Sequence, residues 1–434
     1  MHLAVRASLL DFSADPLHAG SALRFVDDGV LLVDDGLIAA RGEFSALRSR
    51  IDAHTRLLDY SGCLVTPGFV DTHIHMPQVD VIASPAAGLL DWLERHTFPA
   101  EARFADPAVA AEAARFFLDE LARHGTTSAL VFGTSHAASI EALFEEGLRR
   151  NVRLIGGKCL MDRFCPEPLR DTAEGGVQES ADLAARWHGR GRLAYAITPR
   201  FAATSTPRQL GLAGELARSR PELYIQSHVA ENLDEIRWVK ELFPEARSYL
   251  DVYDRAGLLR ERAVYAHCIW LDGDDRARMR ASGAAAAVCP TSNLFLGSGL
   301  FDFRASTDAG MAITLATDVG GGQSFSMLAT MRAAHDVARL KGVPLGAAQL
   351  WYWATRGGAR ALGWEDRAGA LEAGFDADFV VLDPRATPLL ARRTGRAESP
   401  EELLFALLVL GDDRAVRETF IAGRAGKPQV ETTG

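Results

Sequence analysis

Nowhere do two cysteines stand in a C-x-x-C arrangement; Cys63, Cys159, Cys165, Cys268 and Cys289 are scattered. Such spacing excludes a structural zinc knuckle, offers no disulfide framework and predicts reduced, buried thiols in a cytoplasmic protein. No segment approaches the roughly 18 apolar residues that cross a bilayer. The opening stretch MHLAVRASLLDFSADP is broken by Arg6 and Asp11, so it lacks the continuous apolar core of a signal peptide. The expectation is a soluble protein with no membrane partner that stays where it is made. Lysine and arginine form no cluster, and the formal net charge is -10 with a pI near 5.7. That balance argues against nucleic acid as a partner without excluding a free base. No repeat of about 20–50 residues and no low-complexity tract is present.

What the chain does have is bulk: 434 residues, 48% of them hydrophobic, enough for one large domain with a substantial core and a smaller one beside it. Near the start, GVLLVDDGLIAA reads as two short strands around Asp34-Asp35-Gly36. EAGFDADFVVLD and RETFIAGRAGK near the other end have the same character. Neither end closes a core alone, so the two are expected to pair into one small β-sandwich domain, from 1–66 and 366–434.

Between them, strand-like runs alternate with helical segments: LVTPGFVDTHIH, TTSALVFGT, VRLIGGKCL, RLAYAITPRF, LYIQSHVAE, AVYAHCIW, AAAAVCPTSN and AITLATDVG. One helix is predicted to begin at Asp106-Pro107, to carry Val109, Ala113, Phe116, Phe117 and Leu121 on one face, and to stop at Gly125. Another starts at Asn232, with Glu235 placed for a capping box. Eight strands apolar on both faces, alternating with helices, describe an α/β fold with a parallel (β/α)8 TIM barrel over 67–365.

In such a barrel, chemistry collects at the carboxyl ends of the strands. The first strand ends in His73 and His75, which share a face because strand side chains repeat every two residues. The fifth ends in His228, the sixth in His267 and the eighth in Asp318. Any one of these histidines read alone is a hydrogen-bonded core residue. Their joint placement, four imidazoles and a carboxylate, suits Zn²⁺ or a similar ion with a position left for water. Glu231, three residues beyond His228, stands where a carboxylate can exchange protons with that water; read as structure alone, it is a helix-start carboxylate favoured by the macrodipole.

These motifs resemble the amidohydrolase superfamily: PGFVDTHIH, QSHVAE, YAHC and LATDVGG. Within it, HIHMPQ, LLDWLERHTFPAE, GGKCLMD, ITPRF, CPTSNLFLGSG and TDVGGGQSFSML resemble the metal-dependent barrel enzymes that deaminate guanine. The resemblance implies hydrolysis of guanine to xanthine and ammonia in purine catabolism. It implies one zinc per subunit, with iron an alternative, held by His73, His75, His228 and Asp318. His267 would position or polarise the water and the reacting carbon, and Glu231 would shuttle the proton. Gln78, Arg200 and Phe201 would bind the purine beside His228, Glu231 and Asp318, and the subunits would form a homodimer. The departure is MPQ within HIHMPQ, where a small polar pair precedes the glutamine in relatives, so Pro77 is expected to alter how the loop holds Gln78.

Arg offers only donors in a planar fork, so Arg200 and Gln78 aimed at O6 would accept guanine and oppose the amino group of adenine. LLDWLERHTFPAE, with Trp92 and Phe98, is expected to cover the site. A two-metal hydrolase of cyclic amides would need a carboxylated lysine at the fourth strand end; that place reads ITPRF, and Lys158 falls on the third. Another mononuclear deaminase, acting on cytosine, adenosine-type compounds or triazines, is opposed by TPRF and HIHMPQ. A silent scaffold would have lost ligands that are all present here. The unrelated zinc deaminase fold is excluded by the missing P-C-x-x-C.

Overall fold

The structure, a computed structural model, describes residues 2–428. Eight parallel strands form the barrel wall: β1 (Phe69–His75), β2 (Thr126–Phe132), β3 (Arg153–Gly157), β4 (Leu193–Pro199), β5 (Tyr224–Val229), β6 (Ala263–His267), β7 (Ala285–Val288) and β8 (Ala312–Leu315). Each pairs with the next in parallel. Every residue of β1, β2, β6 and β7 is buried, as a wall covered on both sides requires. The alanines of β7 make room for neighbours within the wall. The ring closes between β1 and β8. There Thr72 Oγ1 meets Thr314 Oγ1 at 2.7 Å, and just beyond β8 the Asp318 amide donates to the His73 carbonyl and the His75 amide to the Val319 carbonyl.

The helices start where the sequence signals them. Asp106 caps Pro107–Arg123 by accepting from the Ala108 amide, and Asn232 with Glu235 closes a capping box on Leu233–Leu242. The buried face of Pro107–Arg123 is a correction: it is Ala110, Ala114, Phe117, Leu118 and Leu121, while Phe116 is half exposed and Val109 and Ala113 lie at the margin. A stripe drawn through the large residues missed the alanines, which bury because they let the helix approach the wall closely.

A separate mixed sheet joins both ends of the chain. Its order is Arg424–Ala425, Val416–Ile421, Phe379–Leu382, Arg56–Pro67, His2–Phe12, Leu23–Asp34, Leu37–Glu43. The predicted turn at Asp35-Gly36 is present, with positive φ at both residues. The run read as one strand, LVTPGFVDTHIH, is two: Arg56–Pro67 belongs to this sheet, and the chain passes through Gly68 into β1. A side chain at Gly68 would meet Thr127 Oγ1 at 2.2 Å, so only glycine permits the handover. The sheet packs its own core, including Val5, Leu9, Leu31, Val65, Phe379 and Val381. Among its strands the C-terminal segment carries two helices, Pro388–Thr394 and Pro400–Leu410, whose Leu390, Leu404 and Leu407 join the barrel's core. All five cysteines are buried and free. Among the described residues, no helix is long and apolar enough to cross a membrane.

Candidate active site

The carboxyl ends of β1, β5, β6 and β8 place four imidazoles and a carboxylate around one point. His73, His75, His228 and Asp318 have ligand atoms all within 4.8 Å of one another. His75 Nε2 lies 3.1 Å from His73 Nε2 and 3.2 Å from His228 Nε2, and Asp318 Oδ1 lies 3.1 Å from His73 Nε2 and 3.3 Å from His75 Nε2. Burial lowers the pKa of all three rings, that of His75 to about 3 and that of His228 far below the usual imidazole value. The His228 Nδ1–H donates to the Arg200 carbonyl at 2.6 Å, so its Nε2 carries only a lone pair.

Unprotonated nitrogens this close, beside a carboxylate whose pKa the surrounding histidines hold well below the ordinary value despite its burial, repel unless a cation lies among them. The donor set, nitrogens plus one carboxylate oxygen, fits zinc or a comparable first-row ion. A second grouping, His73, His267, Cys289 and Asp318, also falls within 4.8 Å. Burial pushes the Cys289 thiol well above its ordinary pKa, and the thiol donates to the Ala287 carbonyl at 3.3 Å, so it stays protonated and is the poorer ligand.

The supports come from residues inside the same motifs. Asp71 accepts from Thr317 Oγ1 and, at 3.1 Å, from the Thr317 amide, tying the base of the His73–His75 pair to the segment that delivers Asp318. His267 donates from Nδ1 to Asn293 Oδ1 at 2.9 Å, and its Nε2 lies 3.3 Å from Glu231 Oε2. Ala230, His267, Cys268 and Asp318 all have φ near +50 to +70°, conformations that cost about 1–3 kcal/mol each in non-glycine residues and cluster where function demands them. They swing the side chains leaving β5, β6 and β8 toward the barrel mouth.

Glu231 is buried between β5 and the Asn232 cap. Ser298 Oγ donates to its Oε1 at 2.8 Å. Burial, and then the charge of Asp318, push its carboxyl up to about 8. A carboxyl near neutrality beside an imidazole nitrogen is able both to take and to give a proton.

Opposite the imidazoles lies the other half of the site. A cavity is lined by His75, Gln78, Arg200, Phe201, His228, Glu231, His267 and Asp318, with Leu89, Trp92, Leu93 and Leu296 supplying apolar walls. His73 stands behind this lining. The segment LLDWLERHTFPAE forms consecutive helical turns from Leu89 to Ala102 and does cover the cavity through Leu89, Trp92 and Leu93. Phe98 instead packs against the Arg200 guanidinium, 5.5 Å from ring centroid to Cζ.

Arg200 and Gln78, expected to be aimed at the purine's O6, are both held by Glu101. Arg200 Nη1 donates to its two oxygens at 2.8 and 2.6 Å, and Gln78 Nε2 donates to Oε1 at 3.0 Å. A fully buried guanidinium without an anion would be prohibitively costly, which explains the carboxylate. Pro77 sits in the first turn of the 3-10 segment Met76–Val81, where its missing N–H leaves no bond unmade.

All nine residues singled out in the sequence thus converge. Glu101, Glu235, Ser298, Asn293 and Asp71 were missed as site residues although the first, third, fourth and fifth lie inside motifs already quoted. Glu235 was read only as a cap; it also lines the cavity and accepts from Tyr249 Oη at 2.6 Å.

The amidohydrolase family pattern matches residues 64–426, and the chain belongs to the amidohydrolase family. It is 44% identical over 424 residues to the guanine deaminase of Escherichia coli (strain K12), covering 97% of each chain. It is 40% identical over 425 residues to a probable guanine deaminase of Deinococcus radiodurans, covering 96% of this chain and 97% of that one. The solved structure of E. coli guanine deaminase superposes with a TM-score of 0.95 at 44% identity, over 97% of this chain and 98% of the other.

Proposed function

We propose that this chain is a guanine aminohydrolase, converting guanine and water to xanthine and ammonia, and that it serves purine catabolism. The observation that carries the reading is the meeting, in one cavity, of a cation-demanding His/Asp cluster, a carboxyl poised near neutrality and a donor-bearing Arg–Gln pair; near-full-length likeness to guanine deaminases supports it.

His73, His75, His228 and Asp318 would hold one divalent ion, zinc by donor type, with iron an alternative. When bound, the ion acidifies a water and stabilises negative charge on the attacking oxygen. The purine lies in the cavity with O6 toward the donors of Arg200 and Gln78, its ring supported by Phe201. Asp318 and His267 orient the water toward C2. Glu231 takes the water's proton and passes it to the ring nitrogen next to C2, so that C2 becomes tetrahedral as the new C–O bond forms. Glu231 then carries the proton of the new hydroxyl, the water's second, to the exocyclic amine; the C2–O bond becomes a carbonyl as the C2–N bond breaks, and ammonia leaves with xanthine behind. The apolar cover from Leu89, Trp92 and Leu93 keeps bulk water from these transfers.

A two-ion site is disfavoured by the same geometry: Arg200 follows β4, and the buried Lys158 amine after β3 is engaged by Asp171 at 2.8 Å and Glu179 at 3.2 Å. A homodimer in the cytoplasm completes the reading, supported by the family resemblance and by five free, buried thiols.

The test is ammonia release from guanine by purified protein, beside adenine and cytosine, with metal analysis of the same sample. About one ion per chain, turnover of guanine alone and loss of activity on chelation are expected. No ammonia from guanine, or about two ions per chain, overturns it.

A further inference from the structure

Glu101 belongs to the helical cover, not to the barrel wall, yet it is wholly buried and reaches both residues assigned to reading the purine. We infer that Glu101 is a specificity-setting positioning residue: it fixes which face of the Gln78 amide and which edge of the Arg200 guanidinium the cavity presents, making the site select an oxygen over an amino group at purine position 6. This rests on the guanine reading above and adds to it the part that sets the selection.

A glutamine amide is ambiguous by itself, since its oxygen accepts and its nitrogen donates and a half-turn exchanges them. Here the ambiguity is removed twice. Gln78 Nε2 donates to Glu101 Oε1, and Gln78 Oε1 accepts from the Gly320 amide at 3.2 Å. The reverse orientation would set the amide oxygen against the carboxylate and the amide N–H groups against the Gly320 N–H. With the acceptor turned toward Gly320, the group left for a ligand is the second N–H of Nε2.

Gly320 is built for this contact: a side chain there would come within 2.5 Å of the Gln78 carbonyl, so the two segments touch at backbone distance. Arg200 is held in the same way. Glu101 takes Nη1 through both oxygens and Phe98, three residues earlier, packs against the guanidinium, leaving the remaining N–H groups for the cavity that Arg200 lines. One carboxylate therefore sets a row of donors with no acceptor among them, which an oxygen satisfies and an amino group opposes.

The test compares guanine with 2,6-diaminopurine, which keeps the 2-amino group and replaces O6 with an amino group. In Glu101→Gln the kcat/KM ratio of guanine to 2,6-diaminopurine is expected to fall about 10- to 100-fold, the size of a lost charge-assisted hydrogen bond, mostly through KM for guanine and with metal content unchanged. Glu101→Asp keeps the charge but shortens its reach, so its ratio should lie between wild type and Glu101→Gln. Equal losses for both substrates, or an unchanged ratio, would overturn the assignment, because a merely structural carboxylate has no reason to distinguish position 6. If Glu101→Gln fails to fold, Glu101→Asp decides: a lowered ratio supports the inference and an unchanged one overturns it. Wild-type protein that releases no ammonia from guanine would overturn the functional reading itself and this inference with it.

Discussion

His73, His75, His228 and His267 stand on the strands of the barrel wall, whereas Gln78 and Glu101 come from the short helical turns that follow β1, and Arg200 stands just past the end of β4. The first half is positioned by a continuous backbone ladder and by strained residues at the strand ends. The second is positioned by side chains gripping one another around a single carboxylate. The difference separates two kinds of failure. Under the proposed function, a change in the wall half should remove chemistry, while a change in the side-chain half should redistribute binding among similar bases.

The sharpest way to test that division is Glu231→Gln. The variant keeps an acceptor for Ser298 and leaves all four proposed ligands in place, so the metal should remain bound while kcat falls by about 10²- to 10⁴-fold, the worth of a positioned acid–base group. Turnover and metal analysis on one sample check it, and near-normal turnover would end the role of Glu231.

On the other side of the comparison, Arg200→Met should raise KM for guanine about tenfold or more with a smaller change in kcat, since the lost contact serves binding. It also strands the buried Glu101 carboxylate with only Gln78 for company, so stability should drop by about 3–5 kcal/mol. Steady-state kinetics and chemical denaturation read the two effects separately, and unchanged selectivity would mean that the purine is recognised elsewhere.

The smallest expected effect concerns Glu235, which lies between the halves. Burial, and then the charge of Glu231, push its carboxyl from 4.5 up to about 7. Between those values the folded metal-free protein holds a proton that the unfolded chain has lost, so this group's contribution to stability declines as pH rises from about 4.5 to about 7. Glu235→Gln should make that decline shallower in thermal melts of the metal-free protein; a slope identical to wild type would contradict the shift.

Much of this was legible beforehand because it rests on period and position. Alternation along a strand puts His73 and His75 on one face, and a (β/α)8 order puts His228, His267 and Asp318 at the same rim. Glu101 was not legible in that way. A carboxylate at the end of a helical run is ordinarily a solvated one, and only the three-dimensional approach of Arg200 from β4 turns it inward. Asn293 and Ser298 escaped notice for a related reason: small polar residues after a strand are usually local caps, and their bonds to His267 and Glu231 span large sequence separations. Phe116 shows the opposite error, in which a large apolar residue was assigned to the core and the alanines that allow close packing were passed over.

The seam between β1 and β8 has one further consequence. His73 and His75 arrive at the beginning of the wall and Asp318 at its end, and their own backbone groups stitch the ring shut. A growing chain therefore owns three of the four proposed ligands long before the last exists, and the nascent edge of β1 waits for the same segment that brings the carboxylate. The carboxylate and the closure of the ring therefore arrive together, and a chain stopped short of Asp318 lacks both.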